Sequence, residues 1–293
     1  MKTFFEMLAA RWEAGARVCV GLDTDENKLP ASVMYKIGPV SFFNQEIVRA
    51  TQGSALCYKP NMAFYSGKGA DHQDLHLTMR AIQQDAPGIP VIIDAKRADI
   101  GSSSVGYVEE AFDVIGADAV TVNPYFGQDA LQPFLNQTTK GIIVLCRTSN
   151  PGAAEFQNRI VMITDEEAEK WGLEKGTTMP FYQLVAYRVS REWNDKKNCA
   201  LVVGATFPEE LRQVRNIVGD DMWLLNPGVG KKQGGKVGPV VRNGINSRKH
   251  GILINAGSDA LYASNGPDFA DATGQAVASI AAEINNELAL IAA

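Results

Sequence analysis

Four ionisable side chains crowd into six positions where an apolar run ends: Asp94, Lys96, Arg97 and Asp99, in the segment VIIDAKRADIG (91–101). In extended backbone, residues two apart project from the same face. Asp94 and Lys96 therefore stand together, and Arg97 points to the opposite face, into a solvated or structural position. Lys59 closes another apolar run, SALCYK (54–59), and supplies a second ammonium. Alternating carboxylates and ammoniums hold one another ionised. At an effective dielectric of about 20, adjacent unit charges 4 Å apart interact by roughly 4 kcal/mol. Such a row sets a field for an incoming anion, stabilises a developing carbanion beside a lysine, and lets that lysine deliver a proton. Surface ion pairs at a strand end are the competing reading. Asp99 lies past the strand, where it can fold back over its own site or reach across an interface.

The elements that carry these residues decide between the two readings. Short apolar, β-branched runs predict strands at about 17–22, 54–59, 90–94, 118–122, 141–146, 199–203, 222–225 and 251–254. Helical segments are predicted near 40–50, 72–84, 103–115, 128–137, 181–194, 208–217 and 268–289. Runs such as VIID and IIVLC are apolar on both faces, as parallel strands covered by helices require. Eight such units predict an α/β fold, a (β/α)8 TIM barrel forming a single domain over 1–293. Its one long connection, 147–198 between the fifth and sixth strands, is a candidate lid or surface excursion. In such barrels, chemistry sits at the C-terminal strand ends. Those ends read Gly21-Leu22-Asp23, Lys59-Pro60-Asn61, Asp94-Ala95-Lys96, Arg147-Thr148-Ser149-Asn150 and Asn226-Pro227-Gly228-Val229-Gly230. Polar groups gather at one rim, which favours an active site over incidental surface pairs.

Composition narrows the class. The chain is 45% apolar and 21% charged, with a formal net charge of -5. A mildly acidic chain lacks the basic field that nucleic acids and anionic membranes attract, so neither is an expected partner. No apolar run reaches the roughly 18 residues of a membrane span. The N-terminal MKTFFEMLAARWEAGA carries Glu6 and Arg11 within its apolar stretch and reads as an amphipathic helix, not a secretory signal. Cys19, Cys57, Cys146 and Cys199 sit in or beside apolar runs without CxxC spacing, as small core residues of a cytoplasmic protein do.

The motifs in order, GLD after strand one, YKPN after strand two, DAKRADIG after strand three, TSNPGA after strand five and NPGVG…QGG after strand seven, resemble the orotidine 5'-phosphate decarboxylase family, in its longer-chain branch. The resemblance implies decarboxylation of orotidine 5'-monophosphate to UMP and carbon dioxide in pyrimidine synthesis, with no metal or other cofactor. It further implies that Lys59, Asp94 and Lys96 form the catalytic row with Lys96 as proton donor. Asp99 would be contributed to the partner's site in a homodimer. Asp23 would bond a ribose hydroxyl, Ser149 the pyrimidine and Gln233 the phosphate. Asn61, Ser103, Thr148, Pro227, Gly228, Gly234, Gly257 and Ser258 complete the implied substrate contacts.

Two departures from that family fall at the phosphate end. The loop after strand seven has one residue inserted, with Lys231 and Lys232 where the family has an alanine. After strand eight, Ser258 stands where the family has an arginine, with Asp259 beside it; a carboxylate next to a phosphate dianion is unfavourable unless it turns away. Lys231 or Lys232, with backbone N–H groups around Gly257, is the expected substitute. GKKQGGKV (230–237) matches GxxxxGK but has Val237 where a P-loop needs Ser or Thr, so it reads as a glycine-rich phosphate cradle without nucleotide hydrolysis. His72 and His76, four apart, lack the glutamate of the zinc-protease pattern and read as a solvated helix face. Two rival functions stay open: a Mg-dependent sugar-phosphate decarboxylase or aldolase on the same barrel, and a non-catalytic nucleotide- or phosphate-binding barrel.

Overall fold

The structure, a computed structural model, describes residues 2–66 and 72–292. Eight parallel strands form the core: β1 (Val18–Gly21), β2 (Ala55–Lys59), β3 (Ile92–Arg97), β4 (Ala119–Val122), β5 (Gly141–Arg147), β6 (Cys199–Val203), β7 (Leu224–Val229) and β8 (Ile252–Ala256). Hydrogen-bonded neighbours run β2-β1-β8-β7-β6-β5-β4-β3. Bridges from Tyr58 to Val91 and from Asn61 to Asp94 join the two ends. The bonds there are Tyr58 N–H to Pro90 O and Asp94 N–H to Pro60 O, both 3.0 Å. The result is the expected (β/α)8 barrel, and its closing seam sets the end of β2 against Asp94.

Helices cover the outer face, so strand side chains are buried on both sides; Ile142, Ile143 and Val144 of β5 are all fully buried. The first helix, Phe4–Glu13, is fixed by a capping box between Thr3 and Glu6 and buries Phe4, Leu8 and Trp12, one face at four-residue spacing. Helices at Pro39–Thr51, Gln73–Asp85, Gln128–Leu135, Pro208–Val218 and Phe269–Ala292 fall where the periodicity puts them. Two others, Ser102–Glu109 and Phe181–Arg188, continue into wider π-helical turns at Glu110–Val114 and Val189–Trp193. The helix Val237–Gly244 has no counterpart among the sequence expectations, because glycines and a proline break its apolar pattern.

The long connection after β5 is a surface excursion followed by the ordinary crossover helix. An antiparallel hairpin pairs Ile160–Met162 with Thr178–Pro180. Between its strands, the helix Asp165–Trp171 starts at a Thr164/Glu167 capping box and stops at Gly172 in the left-handed conformation. Ile163, Ala168, Trp171 and Met179 form a small core of its own. Arg188 of the crossover helix bonds Glu167 and Glu192, tying the excursion down.

β3 and β7 run longer than expected, to Arg97 and Val229. In β3 the pairing with β4 is irregular: Ile93 pairs with Val120, and the next pair is Arg97 with Val122. Asp94, Ala95 and Lys96 thus stand opposite the single residue Thr121. This bulge lies within the charged motif.

Candidate active site

Closing the barrel brings the row together. Lys59 Nζ lies 2.9 Å from Asp94 Oδ2, and Lys96 Nζ lies 2.6 Å from Asp94 Oδ1. The Thr121 hydroxyl donates to the same Oδ1 at 2.9 Å. Asp94 and Lys96 do face the same way, but not through plain extended backbone. Lys96 has φ +51°, and the bulge re-aims its side chain. Arg97 takes the structural position expected of it, with Nε and Nη2 on the Glu110 carboxylate at 3.0 and 2.9 Å and its guanidinium over Tyr107.

The two lysines differ in access. The Lys59 side chain is 4% exposed and that of Lys96 is 48% exposed. Burial alone would lower the Lys59 ammonium, but the carboxylates of Asp94 and then Asp23 reverse this and hold it well above the usual lysine range. Burial likewise works against the Asp94 carboxylate, and the ammoniums of Lys59 and Lys96 overcome it, holding Asp94 well below the usual range. For Asp23, burial dominates and raises its carboxyl; Lys59 opposes this and Asp94 adds to it. Asp23 Oδ1 is buried without a hydrogen-bond partner, which marks a place where one belongs.

A cavity of about 480 Å³ opens above the row, lined by Lys59, Asp94, Lys96, Thr121, Leu145, Thr148, Ser149, Asn150, Gln157, Val202, Leu225 and Pro227. Its size suits a nucleotide-sized ligand. Ser149 is pressed between two glycines. A Cβ on Gly204 would come within 2.9 Å of Ser149 Cα, and one on Gly228, at φ +101°, within 3.2 Å of Ser149 Cβ. Gln157 accepts the Thr148 N–H at 2.8 Å and donates to the Thr148 hydroxyl at 2.9 Å, fixing the loop after β5. Asn61 caps the turn Met62–Phe64 through Ala63 N–H at 3.2 Å.

Other expected residues lie apart from this cavity. Asp99 is not among its lining residues, and its Oδ1 accepts the Ile100 N–H at 2.7 Å. Ser103 is exposed on the helix Ser102–Glu109. Gln233 and Gly234 sit on the exposed loop after β7, closed by Gly234 N–H to Gly230 O and Gly235 N–H to Gly228 O. Ser258 borders a second, polar cavity of about 420 Å³ with Lys28, Lys232, Tyr262 and Asn265, and Gly257 precedes it. Asp259 does not simply turn outward. It accepts the Lys232 N–H at 3.1 Å and pairs with Lys232 Nζ at 3.7 Å, and in this position its Oδ2 lies 2.6 Å from where a Cβ on Gly230 would stand. The inserted lysine and the acidic neighbour thus offset one another.

The model of the orotidine 5'-phosphate decarboxylase / HUMPS family matches residues 16–273. The chain belongs to this family. It is 44% identical over 283 residues to the orotidine 5'-phosphate decarboxylase of Ralstonia pickettii, a match spanning 96% of this chain and 98% of that one. To the Aromatoleum aromaticum enzyme of that name it is 41% identical, over the same shares of each chain. Among solved structures, the OMP decarboxylase of Leishmania donovani aligns over 98% of both chains at 32% identity, with a TM-score of 0.78. The UMP synthase of that organism gives a TM-score of 0.80 at 32% identity, covering 98% of this chain and 57% of the synthase. The resemblance carried by the rim motifs, and the barrel it implied, therefore hold.

Thr121 and Gln157 line the cavity without having been singled out in the sequence, and Asn150, named there only as part of a strand end, lines it too. A hydroxyl inside the apolar strand AVTV was a readable sign for Thr121, and Asn150 stands in the TSNPGA motif. Gln157, nine residues past Thr148, carried no signal.

Removing the Asp94 carboxylate leaves Lys59 buried with Asp23 as the remaining carboxylate to offset it. Asp94→Ala should cost about 3–5 kcal/mol of unfolding free energy at neutral pH. The folded-state value of Asp94 lies below its unfolded value of about 3.9. Its stabilisation is therefore complete above that value and is lost only as pH falls towards the folded one. Urea unfolding should show a wild-type-to-variant gap that is constant down to about pH 5 and narrows below about pH 4. A gap under about 1 kcal/mol at pH 7 contradicts the buried pairing.

Proposed function

We propose that this chain decarboxylates orotidine 5'-monophosphate to UMP and carbon dioxide in pyrimidine biosynthesis, with Lys96 as the proton donor. The observation that carries the reading is the row Lys59–Asp94–Lys96, in which the accessible ammonium stands at the cavity and the buried one holds the carboxylate ionised. The bond from C6 to the carboxyl carbon breaks, its electron pair stays on C6, and carbon dioxide leaves. The Lys96 ammonium stabilises that pair and transfers its proton to C6, then regains one from water. Asp23, with its unpartnered buried oxygen, suits a ribose hydroxyl, and Thr148 and Ser149 suit the pyrimidine. Pro227 lines the same cavity, Asn61 adjoins Asp94 across the closing seam, and Gly228 lies against Ser149.

Both rival readings lose support here. A divalent cation at Asp94 would have to displace two ammoniums and a hydroxyl from its oxygens. A barrel that merely held a nucleotide would gain nothing from so costly a buried charge row. For the phosphate, the reading is supported by the polar cavity beside Ser258, near Gly257, which Lys28 and Lys232 line and whose adjoining loop carries Lys231, Gln233 and Gly234. A homodimer in which Asp99 serves the neighbouring site is supported by large apolar side chains exposed beyond β3 and β4: Ile100, Val105, Tyr125 and Phe126. Four free, buried cysteines suit a cytoplasmic protein, and no helix among the described residues is long and apolar enough to cross a membrane.

Loss of absorbance on turnover of orotidine 5'-monophosphate, followed with and without EDTA, tests the reaction. Turnover should survive EDTA and vanish in Lys96→Ala. Metal dependence, or no turnover by the wild-type protein, overturns the reading. Re-equilibrated mixtures of inactive Lys96→Ala and inactive Asp99→Ala should regain activity, because the heterodimer holds one intact site; mixtures as dead as their parents exclude the cross-subunit role of Asp99.

Lysine offers phosphate a flexible point charge without arginine's planar fork. Replacing Lys231 and Lys232 together with alanine should lower kcat/KM for the phosphorylated substrate by roughly 10- to 100-fold, as loss of a charge-assisted contact does. The feeble reaction of unphosphorylated orotidine should barely change. Equal loss on both substrates would mean that the lysines only support the loop.

A further inference from the structure

The bulge in β3 has a single residue of β4 opposite it, and that residue is Thr121. It is 1% exposed. The Lys96 N–H, turned out of the regular ladder by φ +51°, meets Thr121 Oγ1 at 2.9 Å. The same hydroxyl lies 2.9 Å from Asp94 Oδ1, which also takes the Lys96 ammonium at 2.6 Å. The directions of these bonds follow from chemistry. An amide N–H only donates and an ionised carboxylate only accepts, so the hydroxyl accepts from the one and donates its single proton to the other.

One side chain therefore replaces the missing ladder partner of the bulge and fills an acceptor site on the carboxylate. The left-handed conformation at Lys96 is unfavourable for a residue with a Cβ and persists only where its surroundings fix it. Thr121 is the group in contact with both ends of the strained segment. Asp94 is faced by Lys59 from β2, Lys96 from its own strand, Thr121 from β4 and the Asp23 carboxyl from the end of β1. Among these, only Thr121 is also bonded to the Lys96 backbone.

We infer that Thr121 is a positioning residue for decarboxylation: its hydroxyl locks the β3 bulge and thereby aims the Lys96 ammonium at the reacting carbon. The inference rests on Lys96 being the proton donor. Both of its hydrogen bonds are made within the protein, so its effect falls on the chemical step and not on substrate affinity.

The test compares Thr121→Val, which keeps the shape and removes the hydroxyl, with Thr121→Ser, which keeps the hydroxyl. Thr121→Ala is the second variant without a hydroxyl should valine prevent folding, and Lys96→Ala is assayed alongside. kcat and KM for orotidine 5'-monophosphate are read together with thermal unfolding. Losing a hydrogen bond to a charged group is worth one to two decades, so Thr121→Val or Thr121→Ala should lower kcat roughly 10- to 100-fold, with KM within about threefold. Thr121→Ser should keep kcat within about threefold of wild type. Wild-type kcat without the hydroxyl, a loss carried by KM, or a serine variant as impaired as valine overturns the inference. A dead Lys96→Ala beside a fully active Thr121→Val overturns the inference alone, whereas an active Lys96→Ala overturns the reading of Lys96 on which it rests.

Discussion

One buried carboxylate organises the rim of this barrel. Asp94 gives one oxygen to Lys59 and the other to Lys96 and Thr121. Burying a carboxylate is costly unless its charge and lone pairs are matched. Here, matching it fixes everything that touches it: the end of β2, the bulge of β3 and the middle of β4. The shared carboxylate also sets the protonation of its neighbours. Lys59 stays charged although burial works against its ammonium, and a charged Lys59 in turn helps hold Asp94 ionised.

The barrel makes this affordable. Its strands and helices bury one continuous apolar core, so the strain at the rim is carried by a rigid support. Away from the site, the same economy of polar groups recurs. Arg215 is buried near the lower ends of β7 and β8, where burial lowers its guanidinium to about 10. It donates to the carbonyls of Gly219, Met222, Gly244 and Gly251. Arg215 staples backbone, and the Lys59–Asp94–Lys96 row lines the cavity. At one rim burial serves stability, and at the other it serves the proposed chemistry.

Sequence periodicity was enough for the barrel, because eight doubly apolar runs allow few other arrangements. Strand-end logic was enough to join Lys59 to Asp94 and Lys96, since neighbouring parallel strands deliver their C-terminal residues to one rim. The bulge was not legible. It depends on Thr121, 25 residues beyond Lys96, and on a backbone conformation that β-branched neighbours do not advertise. Gln157 was hidden for a similar reason, its place being set by the fold of the excursion after β5. At the phosphate end, Lys231, Lys232 and Asp259 were visible as departures from the family pattern. The pairing of Lys232 with Asp259 was not, because it joins loops 27 residues apart through space.

The central claim is that Asp94 is held ionised by two ammoniums and a hydroxyl before any substrate arrives. The direct measurement is a pH titration of its carboxyl carbon by 13C NMR in aspartate-labelled protein, with Asp94→Asn to assign the signal. The account predicts an ionised carboxylate with no inflection from pH 7 down to about 3, below the ordinary aspartate value of about 3.9. An inflection at or above that ordinary value would contradict it.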